Sequence, residues 1–127
     1  MANFYVLTNN PMAQEKYSSI VRYHKGTVAE VFTVVRDAVH KGAVLISHPL
    51  AGSLKPNENP YKTVVLSTRE GSLDNDSLAL IEGAIAVLRK MPPKNRQYSD
   101  QVLEDFMVID LDLLNSAITA LPAEYHT

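Results

Sequence analysis

The sequence predicts an α/β fold: a single layered α/β/α domain over residues 1–127, with a mixed and mostly parallel sheet of about five strands. Short apolar runs alternate with helical patterns in the order β-α-β-α-β-loop-β-α-α-β-α, and no internal repeat interrupts them. Right-handed crossovers between successive strands favour parallel pairing. A chain of 127 residues is long enough to bury one core and too short for two.

The predicted strands are short runs that are apolar, β-branched or alternating in polarity. Residues 43–46 show no alternation, which is typical of a strand covered on both faces. No crossover helix separates this run from the next one, so the two are expected to pair antiparallel and to make the sheet mixed. The five predicted strands cover residues 4–7, 20–24, 43–46, 63–67 and 106–109.

The predicted helices carry recognisable start and stop signals. Asn10 suits an N-cap before Pro11, while Thr27 and Glu30 have the spacing of a capping box. Gly42 suits the residue that follows a helix end. A third helix would be capped by Asp74 or Asp76, and a fourth by Ser99. The predicted helices cover residues 11–17, 28–41, 76–90, 99–104 and 113–121.

Composition excludes several classes of function. The net charge is −2 and the pI is about 6.0, so there is no basic excess for nucleic-acid binding. The chain has no cysteine, which excludes disulfides, thiolate catalysis and cysteine-ligated metal centres. No apolar run approaches the ~18 residues of a membrane span, and the N-terminal residues lack the pattern of a signal peptide. A cytoplasmic protein without membrane contact is therefore expected.

Three polar segments follow predicted strands, where open α/β sheets bind their ligands. They are residues 8–10, 47–49 and 110–112, and parallel strands would bring them to one edge of the sheet. Thr8, Asn9 and Asn10 precede a helix, so their side chains and the helix N-terminus could hold an anion. The alternative for this segment is a plain helix cap with solvated asparagines.

The loop at residues 48–62 is long for a compact domain, and prolines stiffen it. It is either a functional loop or a rigid connector. Its candidate ligand-binding side chains, for a small anion or a carboxylated substrate, are Ser53, Lys55, Asn57 and Lys62. His48 is the candidate catalytic residue, as a general acid or base, with a structural role as the alternative.

The known catalytic and cofactor motifs do not occur. Ser53 and Lys55 are one residue too close for the spacing of serine–lysine acyl enzymes, and no glycine-rich phosphate loop is present. Residues 74–76 resemble the start of a calcium loop but lack its remaining ligands. Asp110 and Asp112 could offer two carboxylates to Mg²⁺, but one of them is expected to cap the last helix instead. The sequence therefore predicts neither a metal nor a cofactor.

A resemblance to a known family rests on several segments spread over nearly the whole chain. The segments are Thr8-Asn9-Asn10-Pro11, Val35-Arg36-Asp37, His40-Lys41-Gly42, His48-Pro49-Leu50, Gly52-Ser53, Lys55-Pro56-Asn57-Glu58, Pro60-Tyr61-Lys62, Asp105-Phe106 and Ile109-Asp110-Leu111-Asp112. Together they resemble the GrdX family, and the block at residues 48–62 is the most specific of them. Members are typically encoded beside the glycine, sarcosine or betaine reductase complexes of amino-acid-fermenting anaerobic bacteria. The resemblance implies a supporting role in such a system, because a chain without cysteine cannot be a redox-carrying subunit.

Three functions remain open from the sequence. The first is an accessory protein that binds a small anion, such as phosphate or a carboxylate, at the strand ends. The second is a small-metabolite enzyme that uses His48 with Asp110 or Glu58 as its partner. The third is an assembly factor that binds a reductase subunit through the sheet or an exposed helix, and a homodimer is also expected as an option.

Overall fold

The computed structural model describes residues 3–50, 57–91 and 97–125. This part of the chain forms a mixed α/β fold with four α-helices and a three-stranded sheet in the order β2-β1-β3. β1 runs parallel to β2 and antiparallel to β3, and Thr8 at the end of β1 pairs with Thr63 at the start of β3. The elements are β1 (Phe4–Thr8), α1 (Pro11–Lys16), β2 (Val21–Tyr23), α2 (Val28–His40), β3 (Thr63–Ser67), α3 (Asn75–Lys90), α4 (Asp100–Thr119) and a 3-10 turn (Ala123–Tyr125).

Alternating side chains of the two central strands divide the core into two apolar clusters. Tyr5, Leu7 and Val64 pack with residues of α2 and α3. Val6 and Val65 pack with residues of α1 and α4. This division follows from the two-residue period of a strand, which sends successive side chains to opposite faces.

The local helix signals are confirmed. Asn10 caps α1 by accepting a hydrogen bond from the Met12 amide, and Thr27 and Glu30 form the predicted capping box of α2. Asp74 caps α3 and Ser99 caps α4. In each case a side-chain oxygen satisfies an amide that the first turn of a helix leaves unpaired.

The predicted strand at residues 106–109 is wrong, because these residues lie inside α4. One helix of 20 residues replaces the predicted short helix, strand and closing helix. A short apolar run has no periodicity of its own that separates a strand from a buried helix segment. Over a longer window the pattern is helical: the side chains that face the rest of the protein recur every three or four residues, at Leu103, Met107, Asp110 and Leu114.

Residues 43–46 pair only irregularly with β3, through an isolated antiparallel bridge between Leu45 and Leu66. The antiparallel direction is as predicted, but no regular strand forms in this segment. Serine side chains replace part of the ladder: the Val44 amide donates to Ser67 Oγ at 2.7 Å, and the Val65 amide donates to Ser47 Oγ at 2.9 Å. The predicted layered sheet of about five strands is therefore not confirmed in that form.

Within the described residues, none of the helices combines the length and the apolar character that crossing a membrane requires.

Two glycines provide a matched test of backbone conformation. Gly42 has φ +107°, and a Cβ there would lie 2.4 Å from the Gly71 amide nitrogen, so Gly42→Ala is expected to destabilise the protein by about 1–2 kcal/mol. Gly83 lies on the exposed side of α3 with open space around it, so Gly83→Ala is expected to stabilise by about 0.5–1 kcal/mol. Urea unfolding of both variants measures the two effects. If the two substitutions changed the free energy of unfolding equally, Gly42 would not be the position that requires a glycine.

Candidate functional site

Polar side chains gather at the edge of the sheet where β1 ends and β3 begins. We call Thr8, Asn10, Lys62, Thr63 and Asp110 the edge cluster. Thr8 Oγ1 and Thr63 Oγ1 are 2.7 Å apart, and Thr63 Oγ1 donates to Asp110 Oδ2 at 2.5 Å. Asn10 Nδ2 donates to the same carboxylate oxygen at 3.0 Å and to the Met107 carbonyl at 2.9 Å. The cluster therefore links both central strands to α4.

The hydrogen bonds of the edge cluster run in one direction. The Asn10 amide donates to Thr8 Oγ1 at 2.9 Å. With Asp110 ionised, the Thr63 proton goes to its carboxylate, so the Thr8 hydroxyl, which also lies 3.5 Å from the Lys62 carbonyl oxygen, donates to Thr63. The chain of donors ends on the Asp110 carboxylate, which is the acceptor that these side chains share.

Burial shifts both ionisable groups of the edge cluster toward their neutral forms. Asp110 is 3% exposed, and desolvation raises its pKa, although hydrogen bonds from Thr63 and Asn10 and the charge of Lys62 partly oppose this. Lys62 is 6% exposed, and desolvation lowers its pKa, while the charge of Asp110 opposes the change. The charge of each group therefore partly offsets the desolvation cost of the other at this poorly solvated position.

A small cleft opens beside the edge cluster. Its volume is about 40 Å³, and its polar lining comes from Ser47, His48, Lys62, Thr63 and Asp110, with apolar residues of α4 opposite. Such a volume admits water or the head group of a small molecule, whereas sites that enclose a whole metabolite have ~300 Å³ or more.

His48 lies at the exposed rim of this cleft. Its Nδ1 accepts a hydrogen bond from the Leu50 amide at 3.0 Å, so the neutral ring carries its proton on Nε2 and can donate from there. Among the described residues, neither Asp110 nor Glu58 forms an ion pair with this ring. His48 is thus placed as a hydrogen-bond donor at the rim.

Asn9 is 4% exposed and binds groups of the chain itself. Its Nδ2 donates to the carbonyls of Gly26 and Pro60, both at 2.9 Å, and its Oδ1 accepts from the Lys62 amide at 2.8 Å. The side chain therefore fastens the end of the loop at residues 57–62 to the end of β1.

The other predicted site residues fall in different places. Asn57 is half-buried in the loop, while Ser53 and Lys55 lie outside the described residues. The expectation that Asp110 or Asp112 caps the last helix is wrong, because both lie in the interior of α4. Within the described ranges, no group of three or more histidine, aspartate or glutamate residues is arranged to hold a metal ion.

The partnership of Thr63 and Asp110 was not predicted from the sequence. A signal for it exists, since Asp110 occupies a core-facing position in the helical pattern of Leu103, Met107 and Leu114. A carboxylate at such a position needs buried hydrogen-bond donors. The hydroxyl that begins β3 and the amide that caps α1 supply them.

The fold and this edge define a small mixed α/β protein with a polar cleft beside the end of its central strand. The family model described as GrdX-like protein matches residues 5–119, which is most of the 127-residue chain. The chain therefore belongs to the GrdX family, and this membership suggests an association with glycine reductase systems. No curated protein and no solved structure matches it.

Proposed function

We propose that this protein is an accessory component of glycine, sarcosine or betaine reductase systems that binds the head group of a small anion, such as a phosphate or a carboxylate, in the cleft beside the edge cluster. Family membership supports the setting. The observation that carries the binding proposal is the position of Lys62. This lysine is nearly buried, and it lines an open cleft together with His48 and Ser47.

The groups around the cleft suit an anion. Lys62 supplies a positive charge where desolvation strengthens electrostatic attraction. His48 offers its Nε2 proton, and the Ser47 hydroxyl can donate while its oxygen accepts from the Val65 amide. An anion would also hold the ammonium in its charged form, since a nearby opposite charge raises the pKa of a lysine.

The remaining predicted residues divide into two roles in this proposal. Thr8, Asn9 and Asn10 position the edge, because their polar side-chain atoms bind other groups of the chain. Ser53, Lys55 and Asn57 belong to the loop that follows His48, and they are proposed to contact the part of the ligand outside the cleft. The protein would act in the cytoplasm, beside the reductase.

A catalytic role for His48 stays a second proposal. General acid or base catalysis commonly needs a group that orients the imidazole. The bond from the Leu50 amide to Nδ1 occupies the nitrogen to which a carboxylate partner would bind. The same bond leaves Nε2–H as a donor, which favours anion binding over catalysis.

Thermal unfolding with added anions tests the binding proposal. Phosphate or acetate is expected to raise the Tm in a saturable way, because a ligand that binds only the native state stabilises it by mass action. Lys62→Met is expected to lose the anion effect; because it also leaves the buried Asp110 without the opposing charge of Lys62, circular dichroism must first show that the variant is folded. Lys55→Ala is expected to weaken the effect of the anion on the Tm.

The matched control is Lys90→Gln, at the exposed end of α3, which should respond to anions as the wild type does. Chloride at equal ionic strength corrects for general salt effects. If no anion raises the Tm beyond chloride, or if Lys62→Met keeps the full effect, the binding proposal is wrong.

A further inference from the structure

An apolar stripe runs along the outer side of α4. We call Val102, Phe106, Ile109 and Leu113 the α4 seam; their spacing of four, three and four residues keeps them on one side of the helix. Ile109 is 52% exposed, and Val102 and Leu113 are 37% and 36% exposed. Phe106 is half-buried and meets the Tyr98 ring edge-on at 5.1 Å.

The spacing of the α4 seam fits a heptad repeat in which Val102 and Ile109 take d positions and Phe106 and Leu113 take a positions. In this register Leu103 and Asp110 are e positions, and Asp110 is buried against the chain's own sheet. The seam therefore borders the packed side of α4 without belonging to it. Three of the four side chains of the seam are more than a third exposed, and an apolar patch on one helix side can mark an interaction surface.

The charges along α4 indicate what kind of partner fits the seam. The helix has five acidic residues and no lysine or arginine; the acidic residues are Asp100, Glu104, Asp105, Asp110 and Asp112. Asp105 and Asp112 occupy the g positions of the register, directly beside the seam, and both are exposed. In paired helices the g and e positions select a partner through opposite charges.

We propose that the α4 seam binds an amphipathic helix of another protein, whose apolar face is flanked by lysine or arginine. A second copy of this chain fits less well. Antiparallel pairing of two α4 helices would oppose acidic g positions, and parallel pairing would oppose them to e positions that include the buried Asp110. Leu113 also lines the cleft beside the edge cluster, but the proposal does not require an anion to bind there.

Two synthetic helical peptides of about three heptads test the proposal, both with leucine at a and d positions, one with lysine and one with glutamate at e and g. The whole protein is expected to bind the lysine peptide at least about tenfold more tightly than the glutamate peptide, with an affinity that falls as salt rises. Fluorescence anisotropy of labelled peptides measures both affinities.

Variants on the helix surface complete the test. Ile109→Lys should abolish binding of the lysine peptide, while Leu80→Lys on the exposed side of α3 should leave it unchanged. Asp105→Lys combined with Asp112→Lys should reverse the preference between the peptides. Equal affinity for both peptides, or unchanged binding by Ile109→Lys, overturns the proposal. Sedimentation showing a wild-type dimer that Ile109→Lys dissociates would also overturn it, in favour of a second copy as occupant.

Discussion

Asn9→Asp is expected to lower the free energy of unfolding by about 4 kcal/mol at neutral pH, which corresponds to a fall in Tm of about 15 °C. The asparagine donates to two carbonyls and accepts from one amide while nearly buried. Aspartate keeps the acceptor and loses both donors, and its charge would face the carbonyl oxygens of Gly26 and Pro60. Each buried group left unpaired costs about 1–3 kcal/mol.

The pH dependence of Asn9→Asp distinguishes lost donors from a general loss of packing. Facing two carbonyls would raise the pKa of the new carboxyl, and its protonated form regains one donor. The destabilisation relative to the wild type is therefore expected to be smaller near pH 4 than near pH 7. Asn75→Asp, at the exposed first turn of α3, is the control and should be neutral or slightly stabilising. An Asn9→Asp variant as stable as the wild type would refute the role assigned to Asn9.

Asp110→Ala is expected to destabilise the protein by about 2–3 kcal/mol, because it removes the acceptor that Thr63 and Asn10 share and the charge opposite Lys62. Asp110→Asn should be much milder, since an amide oxygen in the same place can accept both hydrogen bonds. Chemical denaturation of the two variants separates the hydrogen bonds from the charge. Equal losses for alanine and asparagine would mean that the charge, not the acceptor, is required.

The raised pKa of Asp110 gives the comparison a pH signature. Between the unfolded-state pKa of about 3.9 and the higher folded-state pKa, the folded protein binds more protons than the unfolded chain. This group's contribution to the free energy of unfolding therefore falls as the pH rises through that window and is constant above it. Asp110→Asn lacks the titration, so its stability relative to the wild type should improve from about pH 4 upward. A difference that does not change with pH would contradict the raised pKa.

The parts of the fold that depend on residues close together in the sequence could be predicted. The caps at Asn10, Thr27 and Asp74 are local, since each side chain binds an amide two or three residues away. α4 was not predicted as one helix, because its central apolar run satisfies strand and helix patterns equally well and only the longer spacing of Leu103, Met107 and Leu114 is helical. The choice depends on contacts with the other face of the sheet, which the run itself does not encode.

The candidate site was predictable in position and less so in detail. Residues that follow the end of β1 and the segment ending at Ser47 do lie near one edge of the sheet, as the strand-end rule predicts. The third contributor, Asp110, reaches that edge from a helix and not from a strand end. The groups to which Asn9 Nδ2 and Asn10 Nδ2 donate are 17 to 100 residues distant in sequence, so no local pattern shows that these amides bind the chain itself.

The most direct test of anion binding beside the edge cluster is an NMR titration of the labelled protein with inorganic phosphate, and separately with acetate. Saturable shifts are expected at the His48 ring and the Lys62 side chain, and they should vanish in Lys62→Met while the rest of the spectrum remains that of a folded protein. Shifts that grow linearly with anion concentration, spread over exposed groups such as Lys90 and spare Lys62 would contradict anion binding in this cleft.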